Sequence, residues 1–358
     1  MNKSLLLELI EIYCEFGVIK ITSKIPESQS RFQHARKTRK SEFMDWRPEA
    51  IRIPSIFIVI AGHMLFYTHY LINDARNPLV WLGGLAIGAF MACSGYVHGL
   101  KDEFNKPGSL NRATYGKFFK NRFLGLYIGY YLAVIVVLIA KLWAGYTVTF
   151  SWSGNLTFGV SPNMTITPLS LFLDLTCTWP LFTLNLGGLW PEGWFVCALM
   201  ILSLAYPMFR RLYSMNKYYL YLIMIVTLII RLIVIIAINA NYAYYFPFAW
   251  TAEFSLGIII GDRIYKKGGA SPPHASYQRI IIGIAARVWP LYLFHMAAVV
   301  FMPDYAPLKD FLITVLIILV LAEIFHRILT QINKQLGIKQ KKKRLVDETF
   351  QSSSNNNL

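Results

Sequence analysis

The stretch RIPSIFIVIAGH, Arg52 to His63, opens on a cation, closes on an imidazole and is otherwise almost wholly apolar. Whether it crosses a bilayer decides the fold. Its two ionisable ends are eleven positions apart, close to three turns of an α-helix, so they share one face and stand ~16 Å apart along the axis. Pro54 falls in the first turn of such a helix, where its missing N–H leaves no bond unmade.

The rest of the chain supports a crossing. Of 358 residues, 55% are hydrophobic and 15% charged, with a mean hydropathy of +0.44, whereas soluble domains carry about 25% charged residues. Nine apolar segments follow one another, at approximately 51–72, 78–100, 118–142, 168–186, 190–209, 218–238, 243–261, 280–302 and 310–330. Most reach the ~20 residues that a helix needs to cross ~30 Å of hydrocarbon. The expectation is an all-α polytopic transmembrane helical bundle of about 8–10 spans with a polar interior cavity. Residues 1–47 form a cytoplasmic segment, 48–332 the membrane domain, and 333–358 a basic, then polar, disordered tail. Within the first segment, residues 5–21 place Glu8, Glu11 and Glu15 on one face of an amphipathic helix.

The formal net charge of +16 sits largely in short stretches between the apolar runs and in the tail. That is the pattern of cytoplasmic loops rather than of a nucleic-acid surface. Lys and Arg crowd 31–47, 101–122, 210–217, 263–279 and 339–344, whereas 143–167, 239–242 and 302–308 carry none. Placing every basic stretch inside requires an even number of crossings between 101–122 and 210–217, where three apolar segments lie. Segment 168–186, interrupted by Pro168 and Pro180 and carrying Asp174, is expected not to cross. Both termini then face the cytoplasm. The four cysteines, Cys14, Cys93, Cys177 and Cys197, form no C-x-x-C pair and read as small buried hydrophobes, without a disulfide framework or zinc site.

Ionisable residues recur inside the apolar runs or at their edges: Arg122, Asp174, Arg231, Glu253, Arg287, His295 and Glu323. Such residues cost roughly 2.5–3.5 kcal/mol at a span centre and usually face a bundle interior. Some read as structural pairs, Arg231 with Glu253 for instance. The set as a whole points to a polar cavity, and so to a transporter or flippase for a polar or lipid-linked substrate, or to an intramembrane enzyme. No inverted repeat is visible. Gly83, Gly84 and Gly88 permit close helix approach but make no phosphate loop, and no metal-ligand cluster appears.

Five landmarks in order resemble the acyltransferase 3 family of integral-membrane enzymes, over about residues 50–330. Arg52 and His63 match its Arg-x10-His signature. FMACSGYVHG (Phe90–Gly99) is similar to its second-span FFxxSGF element, and KFFKNRFLGLYIGYY (Lys117–Tyr131) to the basic-aromatic opening of its third span. WPEGWFVCALMILSLAYPMF (Trp190–Phe209) resembles its WFL span, and LYLFHM (Leu291–Met296) its YLxH element. The chain departs from the family at Gly125 and Ile128, where members often show a second Arg and a Pro.

The resemblance implies transfer of an acyl group, acetyl first among them, from cytoplasmic acyl-CoA to a hydroxyl of a sugar or lipid-linked glycan, without a permanently bound cofactor. His63 is the candidate base, since neutral imidazole titrates near working pH. Arg52 is its catalytic companion at the cytoplasmic mouth. Arg122, Lys117 and Lys120 are candidates for the donor's phosphates. Ser94, Asp174, Trp194, Glu253 and His295 are candidate cavity residues. Ser94 also reads as a helix contact, Trp194 as an interfacial anchor and His295 as a packed histidine. Membrane lipids, acyl-CoA and a carbohydrate or lipid-linked acceptor are the expected partners, with a homo-oligomer left open and no nucleic acid.

Overall fold

The computed structural model describes residues 45–67, 78–100, 104, 110–145, 147–150, 163–182, 193–237, 240–267, 276–303 and 306–336. The amphipathic segment expected at 5–21 and the tail beyond 336 lie outside the described residues. The first helices are α1 (Trp46–Tyr67), α2 (Pro78–Gly99) and α3 (Arg112–Trp143); α1 starts six residues before Arg52, so Pro54 stands in its interior and not in its first turn as expected. A short parallel ribbon follows, β1 (Thr147–Phe150) with β2 (Asn163–Ile166), and then two short helices, α4 (Pro168–Thr176) and α5 (Trp179–Phe182). The chain continues through α6 (Trp194–Met215), α7 (Lys217–Ala237), α8 (Ala240–Tyr245) and a 3-10 helix at Pro247–Trp250. It closes with α9 (Thr251–Lys266), α10 (Ser276–Phe294), α11 (Met296–Val299) and α12 (Leu308–Gln335).

Among the described residues, six helices are long and apolar enough to cross a membrane: α1, α2, α3, α6, α7 and α12. α9, with 16 residues, continues directly from the 3-10 helix, and α10, with 19, carries Arg279 and Arg287. Neither is in that set of six, yet both run within the same bundle. The architecture is the all-α polytopic bundle that the apolar pattern implies. The β1–β2 ribbon, in what reads as a loop, is the one departure among the described residues.

One end of the bundle collects the basic residues. Asp45, just before α1, takes hydrogen bonds from Arg47 Nε at 2.9 Å and from the Tyr96 hydroxyl of α2. Burial pushes the Asp45 carboxyl up, but the hydrogen bonds from Arg47 and Tyr96 outweigh it and hold the group below its ordinary value. At the same end Trp46 packs edge-on against Tyr277 of α10. Arg210 of α6 reaches Asp262 of α9 at 2.6 Å. We call this the basic end.

Two packing features fix the core. α2 and α9 run side by side with Gly95 and Gly99 facing Gly257 and Gly261, four residues apart on each helix. A methyl group at Gly95 would be driven into the Phe254 carbonyl, and one at Gly257 into the Ala92 carbonyl. The backbones therefore touch, as small-xxx-small pairs allow. At the periphery, α7 buries only Leu220 and presents Leu222, Ile225, Ile229 and Ile233 outward, an apolar face suited to acyl chains.

Segment 168–186 does not cross as one helix. α4 has nine residues, about 13 Å. It starts at a capping box, with Ser170 N donating to Thr167 Oγ1 at 3.0 Å and Thr167 N to Ser170 Oγ at 2.9 Å, and Pro168 stands in the first turn. It ends at Cys177, whose φ of 57° is left-handed. Three tyrosines of α3 donate to its last carbonyls: Tyr130 to Asp174 at 3.0 Å, Tyr131 to Leu175 at 2.5 Å, and Tyr127 to Thr176. A helix end away from water needs such donors.

Candidate active site

His63 lies 17 residues beyond the start of α1, ~26 Å from the basic end. Its Nδ1 stands 2.8 Å from Nε2 of His295, with the rings stacked at 15° and centroids 5.0 Å apart. His295 marks the junction of α10 and α11, five residues after Pro290, and is fully buried. Its Nδ1 is 2.6 Å from the Tyr292 carbonyl oxygen. A carbonyl only accepts, so His295 Nδ1 carries a proton and donates it. In a neutral ring Nε2 must then accept, which makes His63 Nδ1 the donor between the two rings. The lone pair of His63 is thereby placed on Nε2. The structure thus brings together two residues that the sequence presents separately.

Arg52 lies about three turns below His63, at the basic end of α1. Its Nη1 pairs with Glu49 at 3.0 Å, and its guanidinium stands 5.8 Å from the Phe90 ring centroid. Glu49 is buried. The cation expected at the mouth is half of an ion pair. The sequence contains Glu49 three residues before Arg52, an i,i+3 spacing that predicts this partner.

Arg122, in the third turn of α3, directs Nη2 to within 2.6 Å of His98 Nε2. His98, one residue from the end of α2, is buried and places Nδ1 2.7 Å from the Ser94 carbonyl oxygen. Tyr206 of α6 donates its hydroxyl to the His98 carbonyl at 2.8 Å. Lys117 and Lys120 are exposed, five and two residues before Arg122 toward the basic end. They share one side of α3, while Arg122 turns to the opposite side, toward His98. His98 is not among the residues expected at the site, although an ionisable residue within an apolar span is itself a signal.

The other candidates scatter. Ser94 is buried beside the α2–α9 seam and serves His98 through its carbonyl. Asp174 is buried at the C-terminal end of α4. Trp194 is not at an interface: it is 4% exposed and packs against Tyr244, Tyr245 and Trp250, because the turn into α9 folds back over the start of α6. Glu253 pairs with Arg231 at 2.5 Å, and the Arg231 guanidinium lies 4.2 Å from the Trp250 ring centroid. Glu323 pairs with Arg287 at 2.9 Å and Arg327 at 2.8 Å. Cys177 and Cys197, read as unrelated hydrophobes, stand with their sulfurs 2.6 Å apart, both as free thiols.

A cavity of about 650 Å³ opens at the end opposite the basic one, against α11, the helix that begins immediately after His295. Trp143, Ala298, Phe301 and Ile317 give it apolar walls, and Asp310 and Thr314 supply polar groups. Along the bundle the histidine pair thus lies between this opening and the level of Arg122.

The acyltransferase 3 family model, described as an acyltransferase domain, matches residues 45–341. No curated protein and no solved structure matches the chain. That match covers all eight long helices, the histidine pair and the cations Lys117, Lys120 and Arg122; the chain belongs to the acyltransferase 3 family and is an integral-membrane acyltransferase.

Proposed function

We propose that the protein transfers an acyl group, acetyl in the first instance, from cytoplasmic acyl-CoA to a hydroxyl of a sugar or lipid-linked glycan. In this reading the basic end is the cytoplasmic one, as the positive-inside rule favours, both termini lie on that side, and the membrane is the plasma membrane. The observation that carries the reading is the relay from the Tyr292 carbonyl through His295 to His63, which leaves the His63 lone pair on Nε2.

His63 Nε2 takes the acceptor's hydroxyl proton as the oxygen attacks the thioester carbonyl. The new C–O bond forms, the C–S bond breaks, and the proton passes from His63 to the departing thiolate, which leaves as the CoA thiol. The positive charge that His63 carries in between is stabilised by its Nδ1–H bond to His295. Arg122, Lys117 and Lys120 receive the donor's phosphates, where a guanidinium offers a bidentate fork and the ammonium groups offer point charges. Arg52, neutralised by Glu49 and ~16 Å from His63, cannot touch the reacting carbon and acts on the donor side. The cavity beside α11 supports approach of the acceptor from the opposite face.

Purified protein given labelled acetyl-CoA and a glycan acceptor tests the reading. Release of the CoA thiol with label on the glycan, removable by mild alkali, is the expected result. Label that survives alkali would be an amide and would overturn the hydroxyl assignment. Absence of transfer from any acyl-CoA would overturn the donor.

A further inference from the structure

Two hydrogen bonds fix the state of His98. Its Nδ1 faces the Ser94 carbonyl oxygen at 2.7 Å, an acceptor only, so Nδ1 carries the proton. Arg122 Nη2, a donor only, stands 2.6 Å from Nε2 and 3.5 Å from Nδ1; with Nδ1 committed to the Ser94 carbonyl, the nearer Nε2 carries the lone pair. Both contacts are satisfied by one species alone, the neutral ring protonated at Nδ1. The ring is 1% exposed and walled by Phe118 of α3, Tyr206 of α6 and Phe254 of α9, with centroids 6.2, 4.7 and 5.5 Å away. The backbone behind it is held by the Tyr206 hydroxyl. His98 is therefore a fixed acceptor presented to a long, flexible cation.

We infer that His98 is a positioning residue for donor binding: its neutral Nδ1–H tautomer orients the Arg122 guanidinium toward the phosphates of acyl-CoA. The inference rests on the proposed donor role of Arg122. Held by a charge-assisted bond to Nη2, the guanidinium loses the rotamer freedom that a phosphate would otherwise have to remove on binding. A lysine-like cation free to swing would bind the same charge with less directional preference. His98 does not touch the reacting atoms, so its loss falls on donor affinity and not on the chemical step.

Amide substitutions separate its two bonds. Gln places its oxygen near the Nε2 position and keeps the bond to Arg122. Asn reaches only the Nδ1 position and keeps the bond to Ser94. In the full-length enzyme, His98→Gln is expected to retain the acyl-CoA KM, and His98→Asn to raise it roughly tenfold, the scale of one hydrogen bond to a charged group, with kcat little changed. Arg122→Ala is expected to raise KM at least as much, and the His98→Asn/Arg122→Ala double variant no further, because the histidine acts through the arginine. An unchanged KM in His98→Asn, or effects that multiply in the double variant, would overturn the inference while leaving the donor site in place. An unchanged KM in Arg122→Ala would overturn the donor site and the inference with it. Should His98→Asn not fold, ¹⁵N-histidine NMR of the wild-type protein decides: a protonated Nδ1 with a bare Nε2 supports the inference, and any other state of His98 overturns it.

Discussion

His63 and His295, 232 residues apart in the chain, meet through Nδ1 and Nε2 at 2.8 Å. The contact joins α1 to the break between α10 and α11, so a histidine on one helix takes its tautomer from a carbonyl on another.

Replacing the base tests that arrangement. His63→Gln keeps size and hydrogen bonding but cannot titrate, and is expected to cut acyl transfer by ~10²–10⁴-fold with the melting temperature in detergent unchanged. His295→Gln, which keeps an acceptor near the Nε2 position, should retain more kcat than His295→Leu. Near-normal turnover in His63→Gln would make the pair a packing contact.

Orientation is read by single cysteines in a variant lacking Cys14, Cys93, Cys177 and Cys197. Cysteines within 143–167 and 239–242 are expected to react with an impermeant thiol reagent added outside intact cells, and those within 101–117 and 263–278 only after lysis. Labelling of 101–117 from outside would invert the bundle and move the donor to the other face.

The glycine seam and an open glycine give opposite expectations. Gly257→Ala forces a methyl group into the Ala92 carbonyl and should sharply reduce the amount of folded protein. At Gly125 nothing lies within 4 Å of an added methyl, so Gly125→Ala should be neutral or stabilise α3 by up to ~1 kcal/mol. Thermal melting of the two variants side by side checks both.

Arg231 and Glu253 should be worth more as a pair than singly. Removing either leaves a lone charge among apolar side chains; the cost should stay below the ~3–5 kcal/mol of a fully enclosed pair, since the side chains keep 20% and 26% of their exposure. Arg231→Leu and Glu253→Leu are each expected to lower the melting temperature, and the double variant to recover much of the loss. Additive losses would mean that the two charges are not coupled.

Asp45 gives a pH-dependent term of known sign. Its folded pKa lies below the ordinary 3.8, so its contribution is fully present above the unfolded value and is lost as pH falls through the folded one. The stability gap between wild type and Asp45→Asn should be constant near neutral pH and close only in strong acid. A gap that closes between pH 7 and 5 would contradict the assignment.

Much of the fold could be read along the chain because a bilayer imposes its thickness on sequence. Helix α1 covers Arg52 and His63 as their spacing implies, and Pro168 and Pro180 mark a segment that breaks. The Arg231–Glu253 pair was legible because lone charges in apolar spans need partners. What could not be read is which helices touch. The His63–His295 and His98–Arg122 contacts, the meeting of Cys177 with Cys197 and the enclosure of Trp194 all arise between elements distant in sequence. Glu49 is a different case: it lay three residues from Arg52 and shows that a neighbour's charge belongs in the reading of any signature.

The seam between α2 and α9 has a mechanical consequence. Two backbones in contact through four glycines have no side chains to slide over, so these helices can rotate or shift only as one rigid body. Any motion of the bundle is then expected in parts joined by side chains alone, such as the junction at His295 and the short helices α4 and α5. The paired glycines are the fixed axle of such motion.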